Sequence, residues 1–212
     1  MKRTNNPNIN TRLYWDSVYA DELKRSHYAS QGTSIALNGI HHIAPTMRFA
    51  TAVSLIKPQD RVLDIGCGVG QLTKLIKETY KDADVWGVDI SLSAIESNSK
   101  ERLDITYKQH YIGRKPSFPL NYFDVVFSGE TLEHIDTPSD LFADAYNALK
   151  PGGIFILTTP NRDHIKSPEH VWEFDHQDVE DLYLASGFDR VNFIYLDNME
   201  HLMVIMAHGI KQ

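Results

Sequence analysis

The chain has a single cysteine, Cys67, among 212 residues. No internal disulfide can form, so a reducing compartment, the cytoplasm, is the expected location. No apolar run approaches the roughly 20 residues that a membrane-crossing helix needs. The basic opening, MKRTNNPNINTRLYW, has no apolar stretch behind it, so neither a membrane span nor a signal peptide is expected. Positive charge is in deficit: 21 Lys and Arg stand against 28 Asp and Glu, for a net charge of −7. That balance argues against a free-standing nucleic-acid binder, although a local basic groove remains compatible with it. Internal repeats and low-complexity tracts are missing too. What is present is an ordinary globular composition, 42% hydrophobic and 23% charged. It is long enough for one cored domain, with or without a small appendage.

The first ten residues are polar, with Pro7 among asparagines, and are expected to fray. Residues 11–26, TRLYWDSVYADELKRS, read as an amphipathic helix with Leu13, Tyr14, Val18 and Leu23 on one side. Residues 27–39 read as a loop. Residues 41–56, HHIAPTMRFATAVSLI, read as a second helix, stopped by Pro58. From Gln59 onward strands and helices alternate. RVLDI is a buried strand, GCGVG a tight turn and QLTKLIKETY a helix. DVWGVDI is the second strand, followed by the helix SLSAIESNSKERL with Ser91 as N-cap. DITYKQHYI and FDVVFSGE are the third and fourth strands. The helix PSDLFADAYNALK ends at PGG, and IFILTT is the fifth strand. DHQDVEDLYLASG is a helix with Gly187 at C′, and FDRVNFIYL and HLMVIMAH are two final strands. The alternation implies an α/β fold with a mostly parallel sheet covered on both faces, the last two strands forming an antiparallel pair at one edge. The expected division is a helical extension over residues 1–58 and an α/β core over 59–212.

VLDIGCGVG sets Asp64, Gly66, Gly68 and Gly70 between a strand and a helix. Glycines there allow a sharp turn and a close approach of ligand to backbone. Asp89 follows at the end of the second strand, where a carboxylate can accept hydrogen bonds from both hydroxyls of a ribose. A structural turn with a solvated Asp is the plain alternative; strand, helix and second-strand acid together favour a nucleoside cofactor. Dinucleotide sites use GxGxxG to meet a pyrophosphate. Here the spacing is GxGxG, with Asp64 two residues before the first glycine. A carboxylate beside a phosphate is unfavourable, whereas beside an ammonium or sulfonium it is favourable. That points to S-adenosyl-L-methionine (SAM).

VLDIGCGVG, GVDIS, FDVVFSGETLEHI and LKPGGIFILTTPN resemble, in order, the signatures of class I SAM-dependent methyltransferases, over roughly residues 60–208. The resemblance implies a Rossmann-like, mostly parallel seven-stranded sheet with an antiparallel C-terminal edge hairpin and an N-terminal helical lid. It implies that the turn Gly66, Cys67, Gly68, Gly70 and Gln71 passes under the methionine part of SAM. Asp64 would serve the amino group, Asp89 the ribose and Ile90 the adenine face. Ser128, Gly129 and Glu130 would line the methyl-donor side. One departure stands out: many relatives carry an acid after the third strand that reads the adenine amine, and KQHYIGRKPSFP offers none.

Within that class, ETLEHI resembles the ubiquinone-biosynthesis O-methyltransferases. It also resembles the 2′-O-methyltransferases of small-RNA 3′ ends, which add a later histidine, comparable to His170. In both groups the motif supplies ligands to a divalent metal. Glu130, Glu133 and His134 would share one face if a helix starts here. Carboxylates with imidazoles suit Zn²⁺, Mn²⁺, Fe²⁺ or Co²⁺ better than Mg²⁺, which stays admissible. Three readings stay open. Glu130, Glu133, His134 and His170 hold a metal; or His134, with the two acids, acts without one; or the acids only complement a helix dipole. Tyr14, Trp15 and Tyr19 read as packing rather than pocket residues, Arg48 as an acceptor or carboxylate contact, and His41 and His42 as capping or surface residues. The leading functional expectation is O-methylation of a small-molecule or glycan hydroxyl. RNA 2′-O-methylation is the alternative. A non-catalytic SAM-binding subunit and an NAD-dependent oxidoreductase are the other classes considered.

Overall fold

The computed structural model describes residues 1–6, 10–20, 44–101, 103–195 and 204–212, with the backbone alone for 44–47. Residues 21–26 of the first expected helix, Leu23 among them, the loop at 27–39, and His41 and His42 lie outside the described residues. In chain order the elements are β1 (Lys2–Arg3), α1 (12–20), α2 (Ala44–Ser54), β2 (Arg61–Ile65), α3 (Gln71–Thr79) and β3 (Asp84–Asp89). These are followed by α4 (Leu92–Asn98), β4 (Ile105–Gln109), β5 (Phe123–Gly129), a 3₁₀ turn (Leu132–His134), α5 (Pro138–Ala148) and β6 (Leu149–Pro160). The chain closes with β7 (Trp172–Glu173), α6 (His176–Ala185), β8 (Phe188–Phe193) and β9 (Val204–Lys211).

Seven strands form one sheet in the order β4-β3-β2-β5-β6-β9-β8. The pairs from β4 to β6 are parallel, and β9 runs antiparallel to both β6 and β8. The expected edge hairpin is therefore present. Apolar residues of the central strands point alternately to two cores, because side chains alternate across a strand. Leu63, Val126, Phe155, Leu157 and Ile205 meet α5 and α6 through Leu141, Phe142, Val179 and Tyr183. Val62, Val125, Ile156 and Met206 meet α2 and α3 through Ala52, Val53, Leu72 and Ile76. Ser91 caps α4 by accepting from Ala94 N–H, and Gly187 follows α6 at φ 86, as the sequence indicates.

The termini of elements depart from expectation. β6 starts at Leu149, not Ile154, because Leu149 pairs with Phe123 before a register shift, so PGG lies inside the strand. Of the first ten residues, expected to fray, 7–9 lie outside the described residues, and Lys2 and Arg3 are tied down. Lys2 and Arg3 pair antiparallel with Glu173 and Trp172, and the Arg3 guanidinium sits 5.7 Å over the Trp172 ring. In α1 the expected apolar side is packed only in part: Tyr14 faces the protein and Val18 is half-buried, but Leu13 is 70% exposed, and Trp15, Asp16 and Tyr19 add to the packed face.

Candidate active site

The sheet reverses its winding between β2 and β5, and ligands of open α/β sheets bind outside the carboxyl ends of strands at such a point. A cavity of about 800 Å³ opens there, walled by the ends of β2, β3 and β5 and by α1. Of the residues expected to hold SAM, Asp64, Gly66, Cys67, Gly68, Gln71, Asp89, Ile90, Gly129 and Glu130 line it. Gly70 and Ser128 do not. Gly70, at φ 76, is the left-handed residue that starts α3. Ser128 is fully buried, and its hydroxyl donates to Ile65 O at 2.8 Å, so it braces β5 against β2.

The glycine turn is tight because side chains crowd it from above. Gly66 has φ 82, and a Cβ there would collide with Thr131 Oγ1. At Gly68, φ 49, a Cβ would stand 2.9 Å from Tyr19 Oη. Asp89 is oriented from both sides: Gly68 N–H donates to Oδ2 at 2.9 Å and Ser91 N–H to Oδ1 at 2.8 Å. Burial still outweighs these bonds and raises the Asp89 carboxyl above its ordinary value. Asp64 is fully enclosed, and burial, with Asp89 beside it, pushes its carboxyl up to about 8. Two buried acids facing a cavity create a demand for a cation. Asn98, which no sequence signal marked, donates from Nδ2 to Gly68 O at 2.8 Å.

After β4, His110, Tyr111, Gly113 and Arg114 line the cavity. The acids beside this segment come from α5 instead of the segment itself. Asp144 accepts from Gly113 N–H at 3.0 Å and faces His110 Nε2 at 3.0 Å, and Asp140 reaches the cavity next to Gly113. Their distance along the chain hid them from sequence reading.

The ETLEHI trio does not lie on an α-helix. Glu130 adopts φ 51, its N–H is tied to Thr158 O at 3.0 Å, and the following residues make only the 3₁₀ turn. The Glu130 side chain therefore leaves the other two and pairs with Arg48 at 2.8 Å. Glu133 and His134 meet His170 instead, each offering one ligand atom within 4.8 Å of the others. Glu133 is 2% exposed and accepts from Thr159 Oγ1 at 3.0 Å. Burial, then the charge of Glu130, raises its carboxyl well above the ordinary range. His134 Nδ1 lies 3.2 Å from Glu169 O, and Nε2 lies 3.6 Å from Glu133 Oε1. An Nδ1–H donated to that carbonyl leaves the Nε2 lone pair toward Glu133. Burial lowers the pKa of both imidazoles, and for His170 the neighbouring His134 adds to the effect, so both are neutral near pH 7. His134 also lines the cavity, which makes it the link between cluster and cavity.

The N-terminal segment covers this region. Trp15 and Tyr19 line the cavity, so they are more than packing residues. Trp15 sets its ring edge-on to His134 at 5.1 Å between centroids. Thr4 Oγ1 donates to His170 O at 2.7 Å, Asn10 Nδ2 to Glu169 O at 2.9 Å, and Tyr14 Oη to Glu169 Oε1. The loop that carries His170 is thus held by residues more than a hundred positions earlier.

Comparison with known proteins gives a consistent picture. The profile of the family described as "Methyltransferase domain" matches residues 40–210. Phosphoethanolamine N-methyltransferase 3 of Arabidopsis thaliana is 33% identical over 117 residues, 54% of this chain and 23% of that protein. Ubiquinone biosynthesis O-methyltransferase of Nitrosococcus oceani is 37% identical over 106 residues, 48% of this chain and 44% of that protein. The chain therefore spans less than half the length of these curated relatives. In fold it is similar to a TehB-like SAM-dependent methyltransferase of Corynebacterium glutamicum, with TM-score 0.69, 13% identity and coverage of 92% and 99% of the two chains. It is also similar to the SAM complex of Haemonchus contortus phosphoethanolamine N-methyltransferase 2, with TM-score 0.63, 18% identity and coverage of 79% and 52%.

Proposed function

The chain belongs to the methyltransferase-domain family, and from that premise we propose that it transfers the methyl group of SAM to a hydroxyl of a small-molecule or glycan acceptor. The observation that carries this reading is the cavity itself, which runs from Asp64 and Asp89 at the glycine turn to His134 beside a carboxylate and a second imidazole. The solved relative with SAM bound supports the cofactor. Asp64 suits the ammonium of SAM, since a cation restores the charge that burial disfavours. Asp89, fixed by two backbone N–H groups, keeps lone pairs for ribose hydroxyls.

Methyl transfer is an in-line displacement. The acceptor oxygen forms a bond to the methyl carbon, the carbon–sulfur bond breaks, and its electron pair returns to sulfur, leaving S-adenosylhomocysteine (SAH). The hydroxyl proton must go to a base. His134, neutral and with its tautomer set by Glu169 O, offers Nε2 for it. Glu133, His134 and His170 also fit a divalent ion. They give one carboxylate and two imidazoles, with Thr159 and the Glu169 carbonyl bonded to the outer atoms of Glu133 and His134, the usual support behind metal ligands. When bound, such an ion supplies polarisation and positioning of the hydroxyl. The Nε2 lone pair serves as ligand or as base, not both at once. Glu130, paired with Arg48, borders the acceptor space.

A second reading, RNA 2′-O-methylation, is favoured by the joining of His170 to Glu133 and His134. The relatives that methylate phosphoethanolamine favour a nitrogen acceptor, and Arg48 and Arg114 in the cavity wall suit a phosphate. The test is incubation with methyl-labelled SAM and, separately, a catechol, phosphoethanolamine and a short RNA, with and without chelator. The proposal expects a methylated catechol oxygen, with turnover lost in chelator if Glu133, His134 and His170 hold an ion and kept if His134 is the base. Label on the phosphoethanolamine nitrogen or the RNA 3′ ribose alone contradicts it.

A further inference from the structure

Helix α1 touches the site at several separate points through residues within two turns. Tyr14 holds Glu169, Trp15 meets His134 and stacks on Tyr19 at 5.7 Å, and Tyr19 presses on Gly68. Asp16 faces the cofactor side. Its Oδ1 accepts Ser91 Oγ–H at 2.7 Å and Ser93 N–H at 3.0 Å, and its carbonyl accepts Ser93 Oγ–H at 3.2 Å. Ser91 in turn donates its N–H to Asp89 Oδ1. A chain of hydrogen bonds therefore runs from α1 through Ser91 to the acid assigned to the ribose.

We propose that Asp16 is the latch of the site. Its bonds to Ser91 and Ser93 hold α1 across the occupied cavity, and by fixing Ser91 they keep Asp89 oriented. The inference rests on SAM and SAH occupying the cavity. Trp15 and Tyr19 wall that cavity, so a cofactor enters or leaves most readily with α1 displaced. Displacing α1 breaks the Asp16 bonds. The carboxylate is suited to the task. Burial raises its pKa, but bonds from Ser93 and Ser91 and the charge of Arg12 bring it below the ordinary value, so it stays ionised. The plain alternative is that Asp16 only stabilises α1 through its pair with Arg12 one turn earlier. That pair uses the other oxygen, Oδ2, at 3.0 Å, which leaves Oδ1 to the serines. Asp16 touches no expected ligand atom and acts as a positioning residue.

The experiment measures SAH dissociation by rapid displacement from the wild-type chain and from Asp16→Asn and Arg12→Ala variants. Circular dichroism and thermal melting establish that each is folded. Asp16→Asn is expected to release SAH about tenfold faster, the effect of losing one charge-assisted hydrogen bond. Arg12→Ala is expected to match wild type. A wild-type rate in Asp16→Asn, or equal acceleration in both variants, overturns the latch. Hydrogen exchange on the wild-type chain gives a second reading that needs no variant. Amides 12–20 and Ser93 should gain protection together when SAH is added, and protection at Ser93 alone also overturns the proposal. Wild-type protein that binds no SAH would refute the cofactor assignment itself, and the latch with it.

Discussion

At Asp64 a single carboxyl links the fold to pH. Its pKa of about 8 in the folded chain lies above the ordinary carboxylate value of the unfolded chain. Its stabilising contribution is therefore complete below the unfolded value and is lost as pH rises through about 8. Asp89, raised by the same burial, acts in the same direction. Ligand-free protein is expected to melt progressively lower from about pH 6 to about pH 8, and Asp64→Asn to flatten that slope in a thermal-shift series. SAM reverses the demand, because its ammonium favours the carboxylate. Binding near neutral pH should release a proton, detectable by calorimetry in two buffers of different ionisation enthalpy. A second residue-scale test concerns Glu133. Protein purified without chelator is expected to carry about one equivalent of divalent metal. Glu133→Ala should lose it while binding SAH as wild type does, as read by elemental analysis and titration. These residues differ in how legible they were. Asp64 and Asp89 stand at strand ends in a recognisable spacing. Glu130 looked like a partner of Glu133 because spacing carries no information about φ. Its left-handed backbone, set by the bond to Thr158 O, sends the side chain to Arg48.

Among the elements, β2, β5 and β6 announced themselves as short apolar runs bounded by turns, since buried parallel strands must be apolar on both faces. Ser91 and Gly187 marked helix ends for equally local reasons. An N-terminal lid was implied by the resemblance, but the pairings that anchor it were not legible. Thr4, Asn10, Tyr14 and Asp16 are polar side chains whose partners lie at 91–93 and 169–171, and no local pattern encodes a pairing across such a distance. For the same reason Leu13 drew attention as an apolar helix residue and is exposed. The elements predict a separable outcome. Deleting residues 1–20 removes no strand of the seven-stranded sheet, so circular dichroism should keep its α/β signature. Turnover should fall sharply, because Trp15 and Tyr19 leave the cavity wall and the His170 loop loses its clasp. Full turnover in the shortened chain would contradict the role given to α1.

For the whole molecule, the reversal of winding between β2 and β5 decides where chemistry can occur. It gathers the ends of three strands, the glycine turn and the 3₁₀ turn around one cavity, while α5 and α6 on one face and α2 and α3 on the other close the two cores. Class and cofactor follow from that arrangement and from signatures that sit at the strand ends. The acceptor does not, because α1, Arg48 and the segment His110–Arg114, which complete the cavity wall, have side chains that obey packing and not a shared pattern. Whether this cavity takes SAM with Asp89 on the ribose is read by calorimetric titration with SAH. A single site of micromolar strength or better is expected, with no comparable heat for NAD and binding weakened about tenfold or more in Asp89→Ala, the worth of a charge-assisted hydrogen bond. Equal binding of NAD, no binding of SAH, or an Asp89→Ala variant that binds SAH as wild type does would contradict that assignment.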